Sequence, residues 1–242
     1  MLNETIALIP ARKGSTRVKD KNIRLLDGKP LISITIENAL TALPASSIYL
    51  STNDERIYPI ANKYKINLIK RPEEVSAANS SMEAVIFSFL NSISFNCNLL
   101  LLQPTNPFRL PETTKEFLNI GTNRIDSGHS DIVISVHESN EDIWVCKKGS
   151  DKIIASDEYS YINRVFPKDA RRQQDRAPHY IENSSYYLFN SKHITSAIDT
   201  LIKGKISCHV IPTLESIDIN TEEDMLLAET FIKSHKFNKK YF

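Results

Sequence analysis

The sequence contains few of the residues on which small or specialised scaffolds depend. Its 242 residues include three cysteines, six glycines and one tryptophan, and no apolar run approaches the ~20 residues that a membrane-spanning helix needs. The cysteines, Cys97, Cys146 and Cys208, lie far apart, so they predict neither a disulfide framework nor a zinc site and suit a reducing compartment. The net charge of +1 excludes a general attraction to nucleic acid or anionic lipid. The first residues lack the cationic segment of a signal peptide, and we expect a cytoplasmic globular protein.

Short apolar runs alternate with segments of helical periodicity along most of the chain. The runs that predict strands are 5–9, 47–51, 66–69, 97–102, 131–136, 186–190 and 207–211. The segments that predict helices are 30–42, 54–64, 80–93, 111–119, 191–202 and 222–234. This alternation is typical of a doubly wound α/β domain, with a mixed sheet between two layers of helices.

The alternation stops between about 139 and 178. This stretch contains Trp144 and the basic segment 168–174. We interpret it as a small β-rich subdomain, inserted into a single domain that covers residues 1–242.

A basic loop, residues 11–24, follows the first predicted strand. It contains six Lys and Arg residues and a single acid, Asp20. Open α/β sheets bind ligands at the carboxyl ends of their strands, and Gly14 and Ser15 allow the backbone to approach a ligand closely. The loop therefore predicts a polyphosphate site. Neither GxxxxGK[ST] nor GxGxxG occurs, so readings as an ATPase or a dinucleotide-binding protein lose their usual support.

Five segments resemble the acylneuraminate cytidylyltransferase family in order and spacing. They are 10–22 (PARKGSTRVKDKN), 71–72 with 80–81, 102–109 (LQPTNPFR), 172–174 with 180–183, and 216–224 (SIDINTEED). The resemblance spans nearly the whole chain. It implies an enzyme that joins CTP to a nine-carbon 2-keto acid sugar, giving CMP-sugar and pyrophosphate for surface glycan synthesis. It also implies a Rossmann-like fold and a homodimer formed through the inserted subdomain. From the near-neutral charge and the lack of a long apolar run we expect no nucleic acid or membrane partner.

The resemblance assigns the nucleotide to the basic loop and to the region after the third strand. Arg12 and Lys21 would hold the triphosphate, beside Gly14 and Ser15 of the same loop, and Asn22 would contact the nucleotide sugar or α-phosphate region. Arg71 would read the cytosine edge, because an arginine offers only donors to the base's O2 and N3 acceptors. Ser80 or Ser81 would add a hydrogen bond there, and the same serines suit the N-cap of the helix that follows.

Two departures from the family concern the charge of this loop. Thr16 and Lys19 stand where the family usually has Lys and Pro. Arg17 and Lys19 are the two candidates for supplying the missing positive charge.

The resemblance assigns the acid sugar to Gln103, Arg172, Tyr180 and Asn183. Arg172 would pair with the sugar carboxylate, since a bidentate Arg–carboxylate pair supplies both charge and geometry. Basic neighbours at 168, 171 and 176 leave this assignment open by one position. Ser184 replaces the glycine that the family often has, and a role limited to fixing the loop is open for Arg109.

Asp218 and Asn220 stand two residues apart on an extended segment, so both side chains face the same way. Such a pair can hold Mg²⁺ or Mn²⁺, because Mg²⁺ needs only one or two protein ligands beside phosphates and water. Asp218, together with Arg12 and Lys21, is the expected catalytic group and would receive the proton of the attacking hydroxyl. The family usually has Asp at both positions, so weaker metal binding, a shifted pH optimum and a specialised subfamily are all open.

Two alternatives to this function remain. One is a relative that activates an eight-carbon acid such as Kdo or a related sugar acid. The other is a non-catalytic nucleotide- or sugar-binding descendant of the family, which the substitutions at Thr16 and Asn220 bring into consideration.

Overall fold

The computed structural model describes residues 4–77, 79–93, 96–146, 162–166, 168, 171–194 and 200–234. The strands are β1 Glu4–Pro10, β2 Leu25–Leu26, β3 Lys29–Pro30, β4 Ile48–Thr52, β5 Asn67–Lys70, β6 Cys97–Leu101, β7 Ile132–Ser139, β8 Trp144–Cys146, β9 Ile162–Arg164, β10 His179–Asn190 and β11 Ile206–Val210. The α-helices are α1 Leu31–Leu40, α2 Tyr58–Tyr64, α3 Met82–Ile93, α4 Pro111–Asp126 and α5 Glu222–Lys233.

The central sheet has seven strands in the order β11-β7-β10-β6-β1-β4-β5. β6, β1, β4 and β5 are parallel to one another, β11 runs parallel to β7, and β10 is antiparallel to β6. Every residue of β6 is buried, as expected of a central strand covered on both faces. This mixed sheet confirms the predicted α/β fold class.

Helices cover both faces of the sheet. One core cluster packs α1, α2 and α4 against the sheet through residues such as Ile36, Ala61 and Phe117. The second packs α3 against the opposite face through Ile86 and Phe89. The alternation of side chains along each strand divides the apolar residues between these two cores, which gives the predicted three layers.

Several predicted boundaries were wrong, for local reasons. α4 continues seven residues beyond 119, because Gly121 lets the helix lie against the sheet: a Cβ there would stand 2.7 Å from Cδ2 of Leu188. The helix predicted over 54–64 is a 3-10 turn, Glu55–Ile57, followed by α2, with Pro59 in its first turn, where proline is tolerated. The helix predicted over 191–202 begins as a 3-10 turn, Ser191–His193, and residues 200–203 are not helical; positions 195–199 lie outside the described residues.

The chain divides into two compact units, residues 1–137 with 182–242, and residues 138–181. The smaller unit contains the stretch for which the sequence predicts an inserted subdomain. Its described residues include the antiparallel pair β8–β9, and Asp142 forms ion pairs with Arg164 and Arg176. None of the helices among the described residues is long and apolar enough to cross a membrane.

Candidate active site

The basic loop after β1 is anchored by one apolar contact and one ion pair. Val18 is completely buried, in a cluster with residues of α1 and α5. Asp20, in the left-handed conformation at φ 53°, pairs with Arg56 at 2.7 Å, and Arg56 also pairs with Asp54 at 2.7 Å. These hydrogen bonds from Arg56 hold the pKa of both carboxyl groups below their usual value. The only acid among residues 11–24 is therefore paired with a residue outside the loop.

The first residues of the loop are fixed by hydrogen bonds to the backbone. Asn22 Nδ2 donates to Arg12 O at 3.0 Å, and Asn53 Oδ1 accepts from the Lys13 backbone at 2.8 Å. Gly14 has φ +79°, and its carbonyl accepts from Arg12 Nη1 at 2.9 Å. Asn22, which the sequence assigns to the nucleotide, thus also holds the loop in shape.

Lys21 connects this loop to the segment that carries Asp218. Its Nζ donates to Ile219 O at 2.8 Å. Burial lowers the pKa of Lys21, the nearby carboxylate of Asp218 opposes that shift, and the positive charges of Arg17 and Arg12 lower it further. The half-buried ammonium therefore stands among like charges, an arrangement that an incoming phosphate would stabilise.

Arg71 lies directly after β5 and is only 5% exposed. Its Nε donates to Val75 O at 2.7 Å, and Nη2 donates to the same carbonyl. Burial and the charge of Arg12 lower the pKa of Arg71 to about 10. The predicted base-reading arginine is thus fixed by two hydrogen bonds to Val75 O, and it lies close enough to Arg12 of the basic loop for that charge to lower its pKa.

The two serines before α3 take different places. Ser81 Oγ accepts from the Ala84 backbone at 3.2 Å, which is the N-cap interaction proposed from the sequence. The Ser80 backbone closes a turn onto Ala77 O at 3.1 Å. A further contact of either serine with a nucleotide stays a prediction.

Arg109 is a buried cation that organises the loop after β6. Its guanidinium donates to the carbonyls of Gln103, Asn106 and Ser185, each at 2.8 Å, and lies over the Tyr186 ring at 5.5 Å from the centroid. With 4% of its surface exposed, the pKa of this arginine falls to about 10 because of burial. The loop that presents Gln103 therefore closes around an arginine.

Asn183 is also part of the buried hydrogen-bond network. Its Oδ1 accepts from Ser135 Oγ at 2.6 Å and from the Ser185 backbone at 3.2 Å, and its Nδ2 donates to Ser216 Oγ at 2.9 Å. Its carbonyl accepts from Asn106 Nδ2 at 3.3 Å. The sequence assigns Asn183 to the sugar, but the structure uses its side chain to join three segments of the fold.

Glu215, in the 3-10 turn Thr213–Ser216, is completely buried with its side chain against the start of α4. Its carboxylate accepts from the Leu110 backbone at 2.9 Å and from Thr113 Oγ1 at 2.8 Å. A carboxylate is favoured at a helix N-terminus, where unpaired N–H groups and the helix dipole meet. Glu215 therefore fixes the beginning of α4 relative to the segment that leads to Asp218.

Asp218 and Asn220 face the same way, as their spacing predicts. Between them Ile219 is buried, and its backbone N donates to Thr105 O at 2.8 Å. Asn220 Nδ2 donates to Asp218 Oδ2 at 2.6 Å, and the Asn220 backbone N donates to Asp224 Oδ2 at 2.8 Å. Asp224 closes the capping box of α5, as expected from the sequence, whereas Glu222 pairs with Arg24 at 3.0 Å.

The side chain of Asp218 fits one divalent cation whose other coordination positions are filled by a bound ligand and water. Asp218 Oδ1 is buried and has no hydrogen-bond partner, which leaves an oxygen of the kind that Mg²⁺ and Mn²⁺ prefer. Within the described ranges, no group of three or more His, Cys, Asp and Glu side chains is placed to hold a metal by itself. Phosphates and water would have to supply the remaining ligands.

Ser184, which replaces the family's glycine, keeps the backbone conformation that favours glycine. Its φ is +59°, in the left-handed region that side chains other than Asn and Asp rarely adopt. Tyr187 Oη donates its single proton to the Glu182 carboxylate and accepts from Ser184 Oγ at 3.2 Å. Burial raises the pKa of Tyr187, so this phenol remains a donor.

Arg172 and Tyr180 belong to the smaller unit. Arg172 forms an ion pair with Asp175 at 3.3 Å, and most of its side chain is exposed. Tyr180 is 53% exposed. Their contacts with a sugar stay predictions.

Sequence reasoning left a loop-fixing role open for Arg109, which does fix the loop after β6, but it missed Asn106 and Glu215 as residues that hold the site in place. Asn106 and Arg109 lie within a motif that it singled out, and an asparagine and an arginine among prolines and apolar residues were the available signal. Glu215 carried no such signal, because nothing in its sequence neighbourhood indicates that it is buried against α4.

Comparisons with known proteins agree with this geometry. A family model described as cytidylyltransferase matches residues 6–218. The chain is 32% identical over 240 residues to the CMP-N,N'-diacetyllegionaminic acid synthase of Legionella pneumophila, covering 94% of this chain and 96% of that protein. It is 27% identical to the N-acylneuraminate cytidylyltransferase of Escherichia coli, of which it spans 52%.

Solved structures share the fold at lower sequence similarity. A CMP:2-keto-3-deoxy-manno-octonic acid synthetase complexed with CTP superimposes with a TM-score of 0.64 at 15% identity, covering 95% of this chain and 98% of that one. The 4-diphosphocytidyl-2C-methyl-D-erythritol synthase of Anaerococcus prevotii gives 0.65 at 15% identity, covering 96% of each chain. At this identity the likeness establishes the Rossmann-like fold alone.

Proposed function

This chain belongs to the cytidylyltransferase family and is a CTP-dependent nucleotidyltransferase, and we propose that it joins CTP to a nonulosonic acid. The observation that carries the proposal is the meeting of two segments at the carboxyl ends of the central strands. The basic loop after β1 reaches, through Lys21, the segment that presents Asp218. Cations that can bind a triphosphate therefore lie beside the carboxylate of Asp218, which can accept a proton or bind a metal.

In the proposed reaction, the C2 hydroxyl of the acid sugar attacks the α-phosphorus of CTP. A bond forms between the C2 oxygen and the α-phosphorus. The bond between the α-phosphorus and the oxygen that bridges to the β-phosphate breaks, and pyrophosphate leaves with the electron pair of that bond. Asp218, or a water that it holds, receives the hydroxyl proton. Such a transfer depends on positioning and charge neutralisation more than on covalent chemistry.

The residues of the larger unit divide these tasks. Arg12 and Lys21 stabilise negative charge on the phosphates, and Arg71 donates to the cytosine edge. Asp218 would hold Mg²⁺ or Mn²⁺, which would neutralise part of the phosphate charge when bound. Gln103 contacts the acid sugar, and the family resemblance of 172–183 assigns the sugar to Arg172 and Tyr180 as well.

A turnover assay across acids tests this function. The protein is incubated with CTP and Mg²⁺ and, in turn, with nonulosonic acids and Kdo, and pyrophosphate is detected. We expect turnover with a nonulosonic acid, in keeping with the substrate named for the Legionella relative. Turnover with Kdo alone would replace the acceptor, whereas CTP binding without turnover on any acid would indicate a non-catalytic descendant.

We also propose that the protein is a cytoplasmic homodimer. Among its described residues, the smaller unit exposes a set of large apolar side chains, namely Trp144, Val165, Phe166, Tyr180 and Ile181, and exposed apolar surface often marks an interface. Cys97 and Cys208 are free thiols, which suits a reducing compartment. Light scattering at micromolar concentration tests the dimer, and a monomer there would contradict it.

A further inference from the structure

Asn220 stands where the family resemblance implies a second acid, and its contacts differ from those of a metal ligand. The side-chain nitrogen Nδ2, a donor, faces Asp218 Oδ2 at 2.6 Å. An amide oxygen at that distance from a carboxylate oxygen would be repelled, so the hydrogen bond determines which end of the amide faces Asp218. The pair therefore offers one occupied and one unoccupied carboxylate oxygen.

The position of Asn220 is itself fixed from the other side. Its backbone N donates to Asp224 Oδ2 at 2.8 Å, and the same oxygen accepts from the Thr221 backbone at 2.8 Å. Because the capping box of α5 holds this carboxylate, the amide of Asn220 projects from the start of a helix rather than from a free loop. Asp218 thus accepts a hydrogen bond from an amide whose position is fixed by the start of α5.

The unoccupied oxygen of Asp218 is the second observation. Oδ1 is buried without a hydrogen-bond partner, an arrangement that costs free energy unless a ligand uses it. Lys21 Nζ is turned to Ile219 O at 2.8 Å, next to Asp218. A cation here meets one protein oxygen together with the positive charge of the basic loop, so free metal is poorly favoured until phosphates add negative charge.

We infer that Asn220 is a positioning residue that donates to Asp218, so that the divalent cation binds one protein carboxylate oxygen and arrives with the nucleotide. Two carboxylates at this separation would repel each other without a cation, whereas the Asn–Asp pair is stable when no cation is bound. This inference rests on the proposed function, because it takes the phosphates of CTP as the remaining ligands. By linkage, CTP then raises the affinity for the metal as much as the metal raises the affinity for CTP.

Mn²⁺ binding, measured by electron paramagnetic resonance without any acid sugar, tests this order. The wild-type protein should bind free Mn²⁺ weakly and should retain it in a protein-bound complex once CTP is added. Asn220→Asp should bind free Mn²⁺ at least about tenfold more tightly without nucleotide, since a second charged oxygen ligand raises cation affinity. Its melting temperature should fall in a chelator and recover with Mn²⁺, whereas that of the wild type should change little.

Two variants complete the experiment. Asn119→Asp adds the same charge at an exposed position on α4 and should match the wild type in both measurements. Asn220→Ala removes the donor without adding a ligand, so its affinity for free Mn²⁺ should stay below that of Asn220→Asp.

The possible failures are distinguishable. Tight binding of free Mn²⁺ by the wild type, or equal Mn²⁺ affinity in Asn220→Asp and Asn119→Asp, would overturn the inference and leave the proposed function standing. Absence of CTP binding, measured by calorimetry on the same protein, would instead remove the proposed function itself.

Discussion

Lys21 Nζ donates a hydrogen bond of 2.8 Å to the backbone carbonyl of Ile219, across 198 positions of the sequence. The bond joins the cationic loop after β1 to the residue between Asp218 and Asn220. Burial and two arginines of the loop lower the pKa of this lysine, and the carboxylate of Asp218 raises it. The protonation of Lys21 therefore depends both on the basic loop and on the segment that carries Asp218. A change in either of them is expected to affect the other.

Replacing Lys21 tests its role toward the triphosphate. We expect Lys21→Ala to weaken CTP binding by roughly 30-fold or more, because truncating one partner of a close charge pair commonly costs about 2–5 kcal/mol. Lys21→Arg should retain part of the affinity, since it keeps the charge but not the point-like ammonium. Calorimetric titration with CTP measures both, and wild-type affinity in Lys21→Ala would remove the residue from the site.

The lowered pKa of Lys21 predicts a pH dependence of CTP binding. The charged lysine binds phosphate and the neutral one does not, so affinity should fall as pH rises through a pKa below the ordinary value of 10.5. In Lys21→Arg the fall should begin at a higher pH, because the guanidinium stays protonated there. Dissociation constants measured across the alkaline range decide this, and coincident profiles for the two proteins would contradict the assignment.

Arg17 and Lys19 form a matched pair for the charge that the loop lacks at Thr16. The positive charge of Arg17 lowers the pKa of Lys21. The positive charge of Lys19 instead lowers the pKa of Asp20, which pairs with Arg56. We therefore expect Arg17→Ala to raise the KM for CTP severalfold and Lys19→Ala to change it little. Equal effects of the two substitutions, or a larger effect of Lys19→Ala, would reverse this choice.

The fold was largely predictable from the sequence, because periodicity reports which residues are buried. The apolar run of β6 and the two-residue spacing of Asp218 and Asn220 each led to the arrangement that the structure has. The missing part is long-range. Neither the contact of Lys21 with Ile219 nor the place of Glu215 at α4 follows from local pattern, since each joins residues more than 100 positions apart.

The buried arginine of the loop after β6 predicts a stability effect that exposed cations lack. Arg109→Met keeps an apolar stem but leaves three carbonyls without their donor. We expect the free energy of unfolding to fall by on the order of 3 kcal/mol, because each buried unsatisfied acceptor costs about 1–3 kcal/mol and partial relaxation recovers some of it. Lys115→Met, an exposed cation on α4, should change it by less than about 0.5 kcal/mol.

Denaturant unfolding of both variants measures this difference. A companion measurement separates stability from function: Arg109→Lys, assayed below its melting temperature, should raise the KM for the acid sugar more than the KM for CTP, because the guanidinium donates to Gln103 O. Equal changes in the two constants would limit Arg109 to a structural role.

Base selectivity tests the assignment of Arg71. CTP should support turnover far better than UTP. The donors of Arg71 match the O2 and N3 acceptors of cytosine, whereas in uracil the N3–H is itself a donor and would face a donor of Arg71. Arg71→Lys should reduce the ratio of kcat/KM for CTP over UTP, since a lysine lacks the planar fork. Equal turnover of CTP and UTP by the wild type would exclude base reading by this residue.

Asp218→Asn removes the one charged oxygen of the proposed metal pair and the proposed proton acceptor together. We expect kcat to fall by about 10²–10⁴-fold, the usual contribution of general acid–base catalysis. Binding of CTP without divalent cations should persist, because the substitution removes negative charge beside Lys21. Asp27→Asn is the control: it removes a charge at an exposed turn whose φ of +50° also suits asparagine, and it should keep the wild-type rate. Initial rates against Mg²⁺ at saturating CTP compare these variants, and a near wild-type rate in Asp218→Asn would place both the metal and the proton elsewhere.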